Sequence, residues 1–266
     1  MTRRKTWDHS RLSKEAADSR RPRISVVIPV LNEEDAIPKV IADLPEHLVS
    51  EIVVVDNGSS DGTAGAARRA GARVVQEPAR GYGAACYRGL REATDPDVVV
   101  FLDGDYSDYP DDLPQVVAPI LKGESDLVIG SRLAGGVRQS AIPTHARLGT
   151  RLAVLLLRVL LGGRYTDLGP FRAARYDALV GLDIRDRGYG WTTEMQALAT
   201  VRGLRVSEVP VRYRKRIGRS KISGTVLGTI GAGYKILTTI LRVYLWPPPA
   251  RNGRPVDSTG GRKWRR

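Results

Sequence analysis

The 266-residue chain is 42% hydrophobic and has one cysteine, which allows a single large domain with a sizeable core and excludes a disulfide framework. Its formal charge is +13, but residues 1–23 (eight basic, three acidic) and 247–266 (six basic, one acidic) supply most of it, whereas Ile24–Trp246 carries 28 basic and 25 acidic residues. A near-neutral body, with a single aromatic residue (Tyr213) inside its one basic run, argues against a nucleic-acid-binding protein.

The basic start, residues 1–23, has no apolar stretch and does not read as a signal peptide. Ile24–Val30 (ISVVIPV) predicts a first buried strand, closed by the polar turn Asn32-Glu33-Glu34, with a helix to about His47. Glu51–Asp56 (EIVVVD) predicts a second strand, and Asp61 an N-cap for a helix through Ala70. Ala72–Gln76 follows as a third strand. Arg80-Gly81-Tyr82-Gly83 then opens a helix through Ala93; the glycines permit close backbone approach or mark a helix entry. Asp97–Leu102 is the central strand, Asp111–Leu121 a helix and Asp126–Gly130 (DLVIG) another strand. This alternation predicts a mostly parallel, doubly wound α/β sheet with helices on both faces.

Beyond Gly130 the pattern changes. Pro143–Leu161 predicts a buried or interfacial helix, shorter than the ~20 apolar residues of a membrane span and interrupted by Arg151 and Arg158. Asp167–Arg172 (DLGPFR) reads as a turn into a short strand, Thr192–Arg202 as a helix and Leu204–Arg212 as a half-exposed strand. Gly224–Trp246 is an amphipathic helix carrying cations, suited to a membrane interface or to packing on the protein's own body. The basic tails at either end are expected to be disordered.

The chain is organised around VVVFLDGDYSDYP (Val98–Pro110), a buried strand that stops in Asp103-Gly104-Asp105. Two carboxylates separated by a glycine can converge on a hard divalent cation that shares its remaining positions with water and phosphate; they can also be solvated acids capping the next helix. Polar groups also end the other three strands on that edge, at Pro29–Glu33, Asp56–Asp61 and Gly130–Arg132, which points to a nucleotide-type crevice. The run Arg212, Arg214, Lys215, Arg216, Arg219 and Lys221 contains no acid and suits an anionic partner. Cys86 reads as a small core residue.

ISVVIPVLNEE (Ile24–Glu34), VVDNGSSDGT (Val54–Thr63), RGYGAACYRG (Arg80–Gly89), LDGDYSDYP (Leu102–Pro110) and IGSR (Ile129–Arg132) resemble the family 2 glycosyltransferases. DLGPFR, TEMQ (Thr193–Gln196) and RIGRSK (Arg216–Lys221) resemble their dolichyl- or polyprenyl-phosphate branch, the dolichol-phosphate mannose synthase-like enzymes. The resemblance implies a GT-A nucleotide-diphosphosugar transferase fold over 24–222 with an amphipathic helix at 223–246. It implies nucleotide-sugar contacts from Pro29, Leu31, Glu33, Asp56, Arg80 and Asp103, and Mg²⁺ or Mn²⁺ on Asp103 and Asp105. It further implies phosphate contacts from Arg132, Arg216, Ser220 and Lys221, with Asp167 and Glu194 beside the reaction centre. Two departures stand out: Asp56-Asn57 replaces a usual pair of acids, and Asp108 falls where Gln-His-Pro-Pro is common.

The implied reaction is metal-dependent, inverting transfer of a hexose from a GDP-mannose- or UDP-glucose-type donor to a polyprenyl phosphate. Such an enzyme would be cytoplasmic and peripheral on the membrane. The alternative keeps fold and donor and takes a soluble sugar, a phosphorylated small molecule or another lipid as acceptor.

Overall fold

The computed structural model describes residues 21–134, 144–218 and 226–247. Its strands are β1 (Ile24–Val30), β2 (Glu51–Asp56), β3 (Arg73–Gln76), β4 (Val98–Phe101), β5 (Leu127–Ser131), β6 (Arg172–Arg175) and β7 (Val206–Pro210). They form one seven-stranded sheet in the order β3-β2-β1-β4-β6-β5-β7. β6 runs antiparallel to both β4 and β5, and the other pairings are parallel. The C-terminal ends of β1, β2, β4 and β5 therefore share one edge, and the loop that leads into β6 reaches the same edge.

The helices are α1 (Ile37–Ala42), α2 (Thr63–Arg69), α3 (Tyr82–Glu92), α4 (Leu113–Leu121), α5 (Thr144–Leu161), α6 (Tyr176–Gly181), α7 (Trp191–Val201) and α8 (Val226–Leu245). Alternate strand residues feed two cores, as the period of two dictates. Val27, Val53, Val55, Val99, Phe101 and Ile129 pack with α3, α5, α7 and α8, and Cys86 is buried among them. Val26, Ile28, Val54, Val100 and Val128 pack with α1, α2 and α4 on the other face. This is the mostly parallel, two-faced α/β sheet that the alternation predicts.

Four local readings shift. The first helix stops at Ala42 rather than near His47, because Pro45 lacks an N–H and disfavours helical backbone just before it. The helix after β2 begins at Thr63, and Asp61 accepts from the Thr63 N–H at 3.0 Å. Residues 167–171 form a loop, with β6 starting only at Arg172, and the short helix α6 follows unannounced. Finally, α8 packs on the body through Thr239, Ile240 and Val243, which are buried, against α5 and α7.

Candidate active site

The acidic turn leaves β4 beneath the end of β1. A Cβ on Gly104 would lie 2.6 Å from Cγ1 of Val30, so only glycine lets the two carboxylates sit this close to the sheet. Asp105 is buried, and its Oδ1 accepts from the Ser107 N–H at 2.9 Å. Asp103 accepts from the Tyr82 hydroxyl at 3.1 Å. Desolvation, reinforced by neighbouring Asp105, pushes the Asp103 carboxyl up to about 6. Asp108 lies deeper, and neither carboxylate oxygen has a hydrogen-bond partner. Burial and the charges of Asp103 and Asp105 hold its carboxyl far above the usual range. Asp105 adds its charge to the burial that raises Asp103 and Asp108, and a hard divalent cation would offset the negative charge gathered here. Among the described residues no three His, Cys, Asp or Glu side chains form a ligand set on their own. Any such ion must therefore draw further oxygens from water or a bound phosphate.

Two arginines approach this cluster. Arg216 lies 2.9 Å from Asp105 Oδ2, and the Ile217 N–H donates to the Asp105 carbonyl at 3.0 Å. Arg132 grips Asp167 in bidentate fashion, its Nε and a terminal nitrogen each 2.8 Å from a carboxylate oxygen. Desolvation opposes charge on Asp167, but Arg132 and the backbone N–H groups of Arg132 and Leu168 keep its carboxyl below the usual range. The loop bearing Asp167 fits because Gly169 has no Cβ, which would meet the Gly130 carbonyl at 2.2 Å.

Two further arginines of the basic run are satisfied internally. Arg212 pairs with Asp111 and Asp112, and Arg214 stacks on Tyr106 and donates to its carbonyl at 2.7 Å. Ser220 and Lys221 lie outside the described residues.

Pro29, Leu31 and Glu33 stand at the end of β1, partly open except for Glu33, whose charge is felt by Arg216. Asp56 accepts from the Ser59 N–H at 2.8 Å and from the Gln76 amide at 3.0 Å. Burial opposes its charge, but these donors lower its pKa. The neighbouring Asn57 explains one departure from the family pattern. Its Nδ2 donates to the carbonyls of Glu77 and Ala79, and its Oδ1 accepts from the Gly81 N–H at 2.8 Å. A carboxylate cannot donate those two bonds. Arg80 extends exposed over Gly58.

The glycines of RGYG serve the protein's own backbone. A Cβ on Gly81 would meet the Arg187 carbonyl at 2.2 Å, and one on Gly83 the Asp186 carbonyl at 2.5 Å. The Gly83 and Ala84 N–H groups donate to Gly188 and Arg187. Glu194 anchors the same loop: its Oε2 accepts from the N–H groups of Arg185 and Asp186, and its Oε1 from Arg242 at 2.7 Å. Thus Asp103, Asp105, Arg216, Arg132 and Asp167 form one electrostatic neighbourhood, whereas the Glu194 carboxylate is consumed in holding α8 and a loop.

The profile described as Glycosyl transferase family 2 matches residues 25–181. The chain belongs to that family. An uncharacterized glycosyltransferase of Mycobacterium tuberculosis is 41% identical over 208 residues, covering 78% of this chain and 93% of the relative. An undecaprenyl-phosphate mannosyltransferase of Micrococcus luteus is 32% identical over 220 residues, covering 77% and 90%. Among solved structures, glucosyl-3-phosphoglycerate synthase of Mycobacterium tuberculosis, with Mn²⁺, UDP-glucose and glycerol 3-phosphate, superposes with a TM-score of 0.67 at 28% identity. That match covers 94% of this chain and 88% of the synthase. The glycosyltransferase has the GT-A arrangement these structures share, and it is a hexosyltransferase that uses a nucleotide sugar, in keeping with a divalent cofactor.

Proposed function

We propose that this glycosyltransferase moves a hexose from a nucleoside diphosphate sugar to a phosphate-bearing acceptor, and that the acceptor is a small water-soluble phosphorylated molecule. The observation that carries the reading is the acidic turn Asp103–Asp105, met by Arg216 at 2.9 Å, at the edge where β1, β2, β4 and β5 end. Asp103 and Asp105 would hold the metal. That ion would neutralise the charge that develops on the departing diphosphate. Asp56 and Glu33 would line the nucleoside side, with Pro29 and Leu31 as its apolar wall, and Arg80 would reach the donor from above Gly58.

Asp167 and Glu194 act here as positioning residues. Both carboxylates are committed to protein donors, and Asp167 is held ionised, so neither is suited to remove a proton. That fits an acceptor whose attacking atom is an oxygen of its ionised phosphate, so that no proton has to be removed and positioning and charge stabilisation are the main work. Arg216, with Ser220 and Lys221 beyond the described residues, would meet the acceptor's or donor's phosphate. In-line attack with inversion is part of the proposal. Support for a water-soluble acceptor comes from the synthase structures, which match over nearly the whole chain with a small phosphorylated molecule bound.

A polyprenyl phosphate is the second reading, favoured by the Micrococcus relative and by apolar residues exposed on α5. The test incubates protein with Mn²⁺, a panel of radiolabelled nucleotide sugars and either 3-phosphoglycerate and glycerol 3-phosphate or undecaprenyl phosphate, followed by phase partition. Label in new water-soluble phosphorylated product supports the first reading, and label in the organic phase the second. No transfer to either overturns the phosphate-bearing acceptor.

A further inference from the structure

α5 (THARLGTRLAVLLLRVLL) carries three arginines and no acid, and α8 carries Lys235 and Arg242 and no acid. On α5, Ala153 and Leu157 are fully buried, whereas Leu148, Leu152, Leu155 and Val159 are 46–69% exposed. Their spacing places all four on one stripe, opposite Leu157, and Arg147, Arg151 and Arg158 run along one border of it. On α8, Tyr234, Leu241 and Leu245 form a second exposed stripe, while Ile240 and Val243 are buried. Lys235 and Arg242 reach Asp186 and Glu194 at 3.0 and 2.7 Å and fasten that helix to the body. Rows of large aliphatic side chains facing water mark an interaction surface.

Charge selects the occupant. A second copy seated on this face would bring two rows of arginine together with no acid on either helix to offset them. An anionic bilayer satisfies both halves, because its interfacial region accepts Leu and Val while its phosphates meet the arginines. We infer that the α5 face docks on an anionic lipid surface with the helix lying in the interface. Among the described residues no helix is long and apolar enough to cross a membrane, so the contact is peripheral. The inference goes beyond the acceptor reading and does not depend on it, since lipid binding requires neither donor nor acceptor.

The test sediments the full chain with vesicles of equal parts phosphatidylcholine and phosphatidylglycerol, and with phosphatidylcholine vesicles alone. Wild type binds the anionic vesicles and stays in solution with the neutral ones. Leu152→Ser, Leu155→Ser and Val159→Ser together lower the partition coefficient by about tenfold or more, with an unchanged melting temperature because these positions face solvent. Arg151→Gln with Arg158→Gln lowers it by about fivefold per charge. Both basic tails are present in every variant, so a difference between variants reports on the helical face. Wild type that ignores anionic vesicles overturns the inference, as does a serine variant that sediments like wild type. So does a wild-type dimer that the serine changes convert to monomer.

Discussion

Arg242 of α8 donates to Glu194 of α7 at 2.7 Å, while the other oxygen of that carboxylate accepts from the backbone N–H groups of Arg185 and Asp186. One buried acid thereby ties the C-terminal helix to the loop that supports the start of α3, where Tyr82 meets Asp103. Glu194→Ala strands two backbone donors and is expected to destabilise the fold by about 3 kcal/mol or more. Arg242→Met should cost only about 1 kcal/mol, because its side chain is half exposed and water can replace it. Urea unfolding of both variants gives the two values. Equal losses would mean that the ion pair, not the backbone anchoring, dominates.

The raised pKa of Asp103 makes a signed prediction for the metal-free protein. Its carboxyl titrates near 6 in the fold against 3.8 in the reference state. Below the unfolded value both states are protonated and Asp103 contributes no penalty. As pH rises toward the folded value the fold must hold an unfavourable charge, and stability is lost. Asp103→Asn should therefore melt with wild type near pH 4 and several degrees above it at pH 7, as checked by calorimetry in EDTA. Added Mn²⁺ should raise the wild-type melting temperature at pH 7 and leave the variant almost unmoved. A gap between the two proteins that stays constant with pH would contradict the assignment of charge to this turn.

The strands and the crevice were legible because both are written locally. Apolar runs that end in Asp56, Asp103 and Ser131 name the strand, its burial and its polar C-terminal end together. Asn57, Glu194 and the RGYG glycines were not legible in the same way. Their partners are carbonyls and N–H groups of distant segments, and a backbone atom leaves no mark in the sequence. The basic run misled for a related reason. Arg212 is balanced by Asp112, 100 positions away, and Arg214 by the faces of Tyr106 and Tyr109, so linear charge density overstated the cation left for a ligand. Pro45, by contrast, was in plain view and should have shortened the first helix.

Arg132 and Asp167 form a buried bidentate pair at 2.8 Å. Arg132→Met leaves the Asp167 carboxylate, which is fully buried, without its cation. It should destabilise the protein by about 3–5 kcal/mol. The double variant Arg132→Met with Asp167→Asn should recover a large part of that loss, because no unpaired charge remains. A double-mutant cycle by thermal or urea unfolding measures the coupling. Additive losses would show that the two side chains act independently.

Arg216 and Arg212 carry the same charge in the same segment but face different partners, and their contrast tests the active-site assignment. Arg216 competes with any metal for Asp105 Oδ2, 2.9 Å away. Arg216→Gln should bind Mn²⁺ more tightly in the absence of donor, as read by electron paramagnetic resonance titration. The same change should lower kcat/KM by about one to two orders of magnitude, since a charge-assisted hydrogen bond to phosphate is worth roughly 1.5–3 kcal/mol. Arg212 pairs with Asp111 and Asp112 at 2.8 and 2.7 Å, away from Asp105. Arg212→Gln should therefore lower stability by about 1 kcal/mol while kcat/KM and Mn²⁺ affinity stay within a few-fold of wild type. If both variants show the same small kinetic change and unaltered Mn²⁺ binding, Arg216 serves only to balance Asp105. The phosphate-bearing acceptor would then rest on Arg132, Ser220 and Lys221 alone.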